Sequence, residues 1–332
     1  MRKAILTLII FATLIPFTMA NAQAKGDINF SIYPENPGPN EPVTISIESY
    51  SADLNLANIR WIVDGKVYKT GYGITSITTN TGSLGTSKDI SVIATTREGG
   101  AFQDSIKIVP ASVDLIWESD NFTPPFYKGK SMYIHENKIS VIALPHFVSG
   151  GKEISPKNLV YTWKNNGDVI QSASGYGKNV YTLTGSLISR PLNIEVEVSS
   201  PNTNNYSRAQ TTIEPKESEI IIYEKDPLYG INFAHGLTGT YELKGKEVTL
   251  MAMPMFFSSS IPNQSGFEYK WLINGSPTDS DPWEYMQVFR TKDDAEGTAK
   301  ISVNLKNKSR ILQYASNTFY ITFNKKTVSS EL

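Results

Sequence analysis

Three heptapeptides decide how this chain folds: Ile59-Arg60-Trp61-Ile62-Val63-Asp64-Gly65, Tyr161-Thr162-Trp163-Lys164-Asn165-Asn166-Gly167 and Tyr269-Lys270-Trp271-Leu272-Ile273-Asn274-Gly275. In each, an apolar residue stands two places before the tryptophan, and Asp-Gly or Asn-Gly follows three and four places after it. The tryptophans are 102 and 108 residues apart, so each copy of the pattern is one domain long. Asn-Gly and Asp-Gly supply the positive φ of a two-residue hairpin turn. A tryptophan on the strand before such a turn can point inward and fill the space between two sheets. Trp61, Trp163 and Trp271 are therefore expected as structural core. Asp64, Gly65, Asn166, Gly167, Asn274 and Gly275 are expected as the turns.

Strands recur around the pattern. Before each tryptophan come Val43-Thr44-Ile45-Ser46-Ile47, Ile139-Ser140-Val141-Ile142-Ala143 and Val248-Thr249-Leu250-Met251-Ala252, apolar at alternate positions as half-buried strands require. After it come Ile90-Ser91-Val92-Ile93-Ala94, Ile194-Glu195-Val196-Glu197-Val198 and Ile301-Ser302-Val303-Asn304-Leu305, which begin 29, 31 and 30 residues beyond their tryptophan. Another alternating stretch closes each unit: 105–109, 209–213 and 319–323. The second and third copies match each other best. Pro125-Phe126-Tyr127 returns as Pro227-Leu228-Tyr229, and Ala143-Leu144-Pro145-His146-Phe147 returns as Ala252-Met253-Pro254-Met255-Phe256.

Many short alternating strands separated by turn signals predict an all-β chain of three tandem immunoglobulin-like β-sandwich domains. A central-strand tryptophan followed by a turn resembles immunoglobulin-like domains, and the W-x-x-[DN]-G run resembles bacterial Ig-like and polycystic-kidney-disease (PKD) type surface modules. The resemblance spans about residues 26–325 at the level of architecture. Two features depart from it: the inter-sheet disulfide of antibody domains cannot form without cysteine, and the Trp-Asp-Phe-Gly-Asp-Gly run typical of PKD modules is absent. The expected division is a signal peptide at 1–24 and domains at 26–110, 112–215 and 217–325, with Pro110 and Pro215 at the joints.

The address is read from the first residues. Arg2 and Lys3 precede a short apolar run to Met19, and Ala20-Asn21-Ala22-Gln23-Ala24 offers overlapping small-residue cleavage sites, the pattern of a secretory signal peptide. The run is too short and broken for a membrane span. Its removal leaves 29 basic and 32 acidic residues, a balance that does not favour nucleic acid or anionic lipid. The chain has no cysteine, which excludes disulfides, thiolate metal sites and thiol nucleophiles. An exported chain without disulfides fits a bacterial protein that relies on its cores.

The residues offer no catalytic set, cofactor site or metal site. His135, His146 and His235 are the only histidines and none pairs at i+4, so the zinc-hydrolase spacing is missing. No G-x-S-x-G elbow occurs. Gly71-Tyr72-Gly73 and Gly175-Tyr176-Gly177 are followed by no helix that could cradle a phosphate, and they read first as strand or turn features. Asp279-Ser280-Asp281 and Asp293-Asp294-Ala295-Glu296-Gly297 carry hard oxygen ligands but complete no calcium loop. Tyr72, Tyr176 and Trp283 stand at similar distances past their tryptophans, and they are the candidate surface aromatics for a sugar or protein partner. Together these residues point to a non-enzymatic, exported bacterial binding or spacer module, extracellular or in the cell envelope. Its partner would be a protein or glycan at the cell surface. The alternatives are a carbohydrate-binding module and a subunit of a larger surface assembly such as a pilus.

Overall fold

The structure is a computed structural model that describes residues 24–25, 28–188, 190–201, 205–258, 266–292 and 295–323. The signal peptide read at 1–24, Ala24 excepted, and the pair Asp293-Asp294 lie outside the described residues. Among these residues the chain is all-β, its one helical piece a single 3-10 turn at Pro156–Asn158. It divides into two compact units, residues 1–110 and 111–332. Each is taken by itself.

The first unit is one sandwich. Asn29–Tyr33, Pro42–Glu48 and Ser76–Asn80 form one antiparallel sheet. Lys66–Tyr72, Asn58–Val63, Lys88–Thr95 and Ala101–Ile108 form the other, with the two residues Ala24–Lys25 added in parallel at its edge. Alternation places Val43, Ile45 and Ile47 inward from the first sheet, and Ile59, Trp61, Ile90 and Val92 inward from the second. Trp61 has no exposed surface.

The second unit holds two sandwiches with separate cores. In one, Ser112–Ser119, Lys138–His146 and Val180–Thr184 face Asp168–Val169, Val160–Asn165, Leu192–Ser199 and Tyr206–Ile213. Trp163 is fully buried there among Val141, Tyr161, Val196 and Val198. In the other, Gly230–Leu237, Glu219–Asp226, Glu247–Met255 and Met286–Arg290 face Ser276–Pro277, Phe267–Ile273, Gly297–Asn307, Tyr314–Phe323 and the parallel strand Thr240–Glu242. Trp271, 1% exposed, packs among Leu250, Val303 and Phe319.

One hydrogen bond recurs in all three cores. Trp61 Nε1 donates to Ile74 O at 2.7 Å, Trp163 Nε1 to Lys178 O at 2.9 Å and Trp271 Nε1 to Glu284 O at 3.0 Å. The acceptor lies where the chain crosses from one sheet to the other. A buried indole N–H left alone would cost about 1–3 kcal/mol, so each core fixes the crossing beside it.

A junction joins the two sandwiches of the second unit. The chain between Ser119 and Lys138 reaches across to the third sandwich. Phe122 N–H donates to Phe257 O and Phe256 N–H to Phe122 O, both at 2.8 Å. Phe122 packs with Tyr223, Met251 and Met253, and Met132 and Ile134 pack with Met255 and Phe256. These third-sandwich residues lie on the outer face of their sheet, which is polar in an ordinary sandwich. Gln313, 1% exposed, completes the junction: Nε2 donates to His135 O and Ser258 Oγ at 2.7 Å, and Oε1 accepts from Asn307 Nδ2 at 2.9 Å and Ser258 N–H at 3.0 Å.

Trp163→Ala removes a wholly buried indole and leaves the Lys178 carbonyl unpartnered. We expect a loss of about 3–5 kcal/mol for the second unit, read by chemical denaturation. A loss below about 1 kcal/mol would mean that the ring does not hold the core.

Candidate functional site

The turn residues take left-handed backbone in all three sandwiches: φ is 50° at Asp64 and 76° at Gly65, 51° at Asn166 and 92° at Gly167, 49° at Asn274 and 86° at Gly275. Consecutive positive φ values define the tight hairpin turn whose twist matches the flanking strands. The side chain before each glycine also clamps a neighbouring strand. Asp64 Oδ1 accepts from Asp89 N–H at 3.0 Å, Asn166 Oδ1 from Asn193 N–H at 3.2 Å and Asn274 Oδ1 from Lys300 N–H at 2.8 Å. The same three residues return a backbone bond, N–H to O, of 2.9, 2.9 and 2.8 Å. The sequence reading missed this clamp. Its signal was the near-constant distance from each tryptophan to Ile90, Ile194 and Ile301, because the clamped residue precedes each of these.

The candidate aromatics are all in solvent: Tyr72 is 70%, Tyr176 62% and Trp283 57% exposed. Tyr72 and Tyr176 occupy equivalent places, two residues before the carbonyl that accepts the indole N–H. Trp283 does not. Counted from Glu284 it falls at the position of Gly73 and Gly177, and Pro282 takes the tyrosine position. Gly73 and Gly177 have φ of 67° and 70°, and a side chain would meet Asn55 O at 2.8 Å or Lys157 O at 3.1 Å. Trp283 lacks the left-handed backbone, so the third crossing follows another path and has room for a ring. The glycines of the G-Y-G runs thus serve a close backbone approach. Trp117 is half-buried against the second core, with Lys130 Nζ 3.2 Å from its ring centroid, so that face is already covered by a cation.

Other exposed rings escaped the sequence reading. Phe126 is 81% exposed and stands 5.7 Å from Phe233, centroid to centroid. Leu228 and Tyr229 project from the tip of the hairpin after Glu219–Asp226, where Asp226 Oδ1 accepts their N–H groups at 2.7 and 2.9 Å. The signal was the repeated Pro-Phe-Tyr and Pro-Leu-Tyr. In the first unit, a shallow depression of about 420 Å³ lies at the loop end beside Tyr50, lined by Glu48, Asp53, Asn55 and serines 46 and 49.

The histidines do not converge. Half-buried His146 lies between Asp114 at 3.4 Å and Glu153 at 3.7 Å, His135 Nδ1 is 2.9 Å from Leu187 O, and His235 is exposed. No group of three His, Cys, Asp or Glu among the described residues is placed to hold a metal ion. No helix among them is long and apolar enough to cross a membrane. The perturbed tyrosines pack in or against the apolar clusters, and the one other perturbed group among the described residues is Lys130, lowered by its partial desolvation. Burial pushes the Tyr161 phenol up to about 12, and burial together with Glu224 does the same for Tyr241.

No family model matches the chain, and no curated protein matches it by sequence. Solved structures similar in architecture are tandem Ig-like and fibronectin-III-like sandwiches. The three N-terminal domains of the bacteriophage RB49 outer capsid protein Hoc share 12% identity, with 90% of this chain and 98% of that one covered and a TM-score of 0.27. Fibronectin(III)-like modules of Clostridium thermocellum CbhA share 11%, covering 57% and 94%, with a TM-score of 0.28. Bacteroides ovatus SGBP-B, solved with a mixed-linkage heptasaccharide, shares 11%, covering 95% and 69%, with a TM-score of 0.22.

Two outcomes follow from this geometry. Asn274→Ala removes the side-chain acceptor that clamps Lys300 N–H and puts alanine, which tolerates left-handed backbone less well than asparagine, at φ 49°, so about 1–3 kcal/mol should be lost; an unchanged denaturation midpoint would show the clamp to be idle. Tyr161 Oη donates to Pro156 O at 2.9 Å, and its folded pKa lies above the ordinary value near 10. Its contribution is therefore complete below pH ~10 and fades as pH rises towards 12. Tyr161→Phe should flatten that part of the stability profile, and an identical slope in the variant would refute the assignment.

Proposed function

We propose that this is an exported bacterial protein, not an enzyme, that works outside the cell or in its envelope as a binding and spacer module. Its domains are taken as 26–110, 112–215 and 217–325, with the last two acting as one body. The observation that carries this reading is the junction of the second unit. A two-bond backbone bridge, a Met-Phe cluster and the saturated amide of Gln313 fix two sandwiches to each other. A spacer needs such stiffness, and rings left in solvent on a fixed body can meet a partner without an ordering cost. Tyr176 and Trp283 on this body, alongside Phe126 and Tyr229, and Tyr72 on the first unit taken by itself are the proposed contacts, and the partner is a protein or glycan at the cell surface.

The test uses fluorescently labelled protein on intact cells and on a glycan array, with Trp283→Ala and Tyr176→Ala alongside. Retention on either surface, reduced about tenfold by an aromatic variant whose melting temperature is unchanged, is the expected result and corresponds to ~1.4 kcal/mol. Binding to neither surface would overturn the binding half of the proposal. Turnover of an arrayed glycan would overturn the non-enzymatic half.

A further inference from the structure

The second and third sandwiches treat the outer edge of their last strand differently. In the third, Tyr314–Phe323 pairs with Gly297–Asn307 on one side and in parallel with Thr240–Glu242 on the other. Tyr320 N–H donates to Gly239 O and Leu243 N–H to Thr322 O, both at 2.8 Å. In the second, the corresponding chain forms no strand pairing with the last strand, Tyr206–Ile213, among the described residues. Asn121 Nδ2 donates to Met132 O, Ser131 Oγ donates to Asn121 O, and the Met132 and Ile134 side chains are held in the junction. Tyr133 O accepts from Lys216 N–H at 2.7 Å, beyond the strand's end. The segment that closes the edge in one copy joins the two sandwiches in the other.

The open edge has a definite phase. Asn193 directs both of its backbone groups at Asn166, its O accepting from Asn166 N–H and its N–H donating to Asn166 Oδ1. Successive residues of an antiparallel strand face alternate sides. Leu192, Ile194 and Val196 therefore face the last strand, and their partners Ile213, Thr211 and Ala209 face back. Gln210 and Thr212 turn N–H and C=O outward, and both residues are exposed. From Ala209 to Ile213 there is no charge, proline or bulge, the usual protections of a sheet edge.

We infer that this edge pairs with the same edge of a second copy of the chain. Antiparallel pairing centred on Thr211 opposite Thr211 sets Gln210 against Thr212 twice, as hydrogen-bonded pairs. It places Ala209 against Ile213 on the inner face and sets Arg208, which already pairs with Glu195 and Glu197 of its own sheet, opposite Glu214 on the outer. Two five-stranded sheets, each counting Gly175–Tyr176 beside Val160–Asn165, become one ten-stranded sheet across a two-fold axis, the symmetry that self-complementary patches produce. The contact is short, so the dimer belongs to the weak, reversible class.

The full chain decides it, and its lack of cysteine helps. Sedimentation should show mass rising with concentration from monomer towards dimer. Thr211→Cys, placed on the axis, should oxidise to a linked dimer at least about tenfold faster than Thr182→Cys, which lies on the exposed edge of the opposite sheet. Gln210→Pro deletes an outward N–H and no bond of its own ladder. It should raise the dimer Kd at least about tenfold, ~1.4 kcal/mol, without moving the melting temperature. A chain that stays monomeric at every concentration overturns the inference. So does a dimer in which Thr211→Cys oxidises no faster than Thr182→Cys, and this comparison decides the matter alone if Gln210→Pro misfolds.

Discussion

Each sandwich depends on an indole that is buried completely and still keeps its hydrogen bond. The bond from Trp61, Trp163 and Trp271 reaches a carbonyl 13 to 15 residues further on, where the chain leaves one sheet for the other. It thus ties the central strand of one layer to the start of a strand in the opposite layer. A disulfide between the sheets would do similar work covalently, and this chain has no cysteine to form one. The tie is polar and directional, so it sets where the crossing occurs as well as how tightly the layers pack. The Asp or Asn clamp three residues later works in the same region, fixing the hairpin to the next strand of its sheet. Core and turn are one device, repeated three times.

How much of this could be read from the residues depends on whether the determinant is local. The alternation in Val43–Ile47 and Ile194–Val198 and the Asx-Gly pairs act within a few residues, and they carry the all-β architecture openly. Trp283 was harder. Its distance from Trp271 suggested equivalence with Tyr72 and Tyr176, yet the conformation of the crossing decides the register. Gly73 and Gly177 need left-handed backbone and the third crossing does not. The junction was written in Met251-Ala252-Met253-Pro254-Met255-Phe256-Phe257, where alternation gives way to continuous apolar character. Such a run means that both faces of the strand are covered. Nothing in it says that the cover comes from residues 120–137, because that pairing is long-range. The hydrogen bonds of Gln313 are hidden for the same reason.

The second and third copies, the best matched in sequence, are therefore not a pair of equal modules. The linker before Lys138 became part of its neighbour's surface, and the third sandwich accepted an apolar outer face in exchange for a partner. This explains why two sandwiches with separate cores form one compact unit. It also shows why exposed side chains collect nearby: Phe126 and Tyr127 belong to the same linker, and Phe233 to the hairpin that it touches.

The composition of that junction gives it a chemical vulnerability. Every methionine after Met19, namely Met132, Met251, Met253, Met255 and Met286, lies in its two apolar clusters. A thioether adapts to an irregular contact that a stiffer side chain would fill poorly. Its sulfoxide is polar and could not remain in the same place without cost. For a chain with no thiol to intercept peroxide, oxidative damage would concentrate at the joint between the sandwiches and leave the tryptophan cores untouched. Such a protein would age by loosening at its joint before it unfolds.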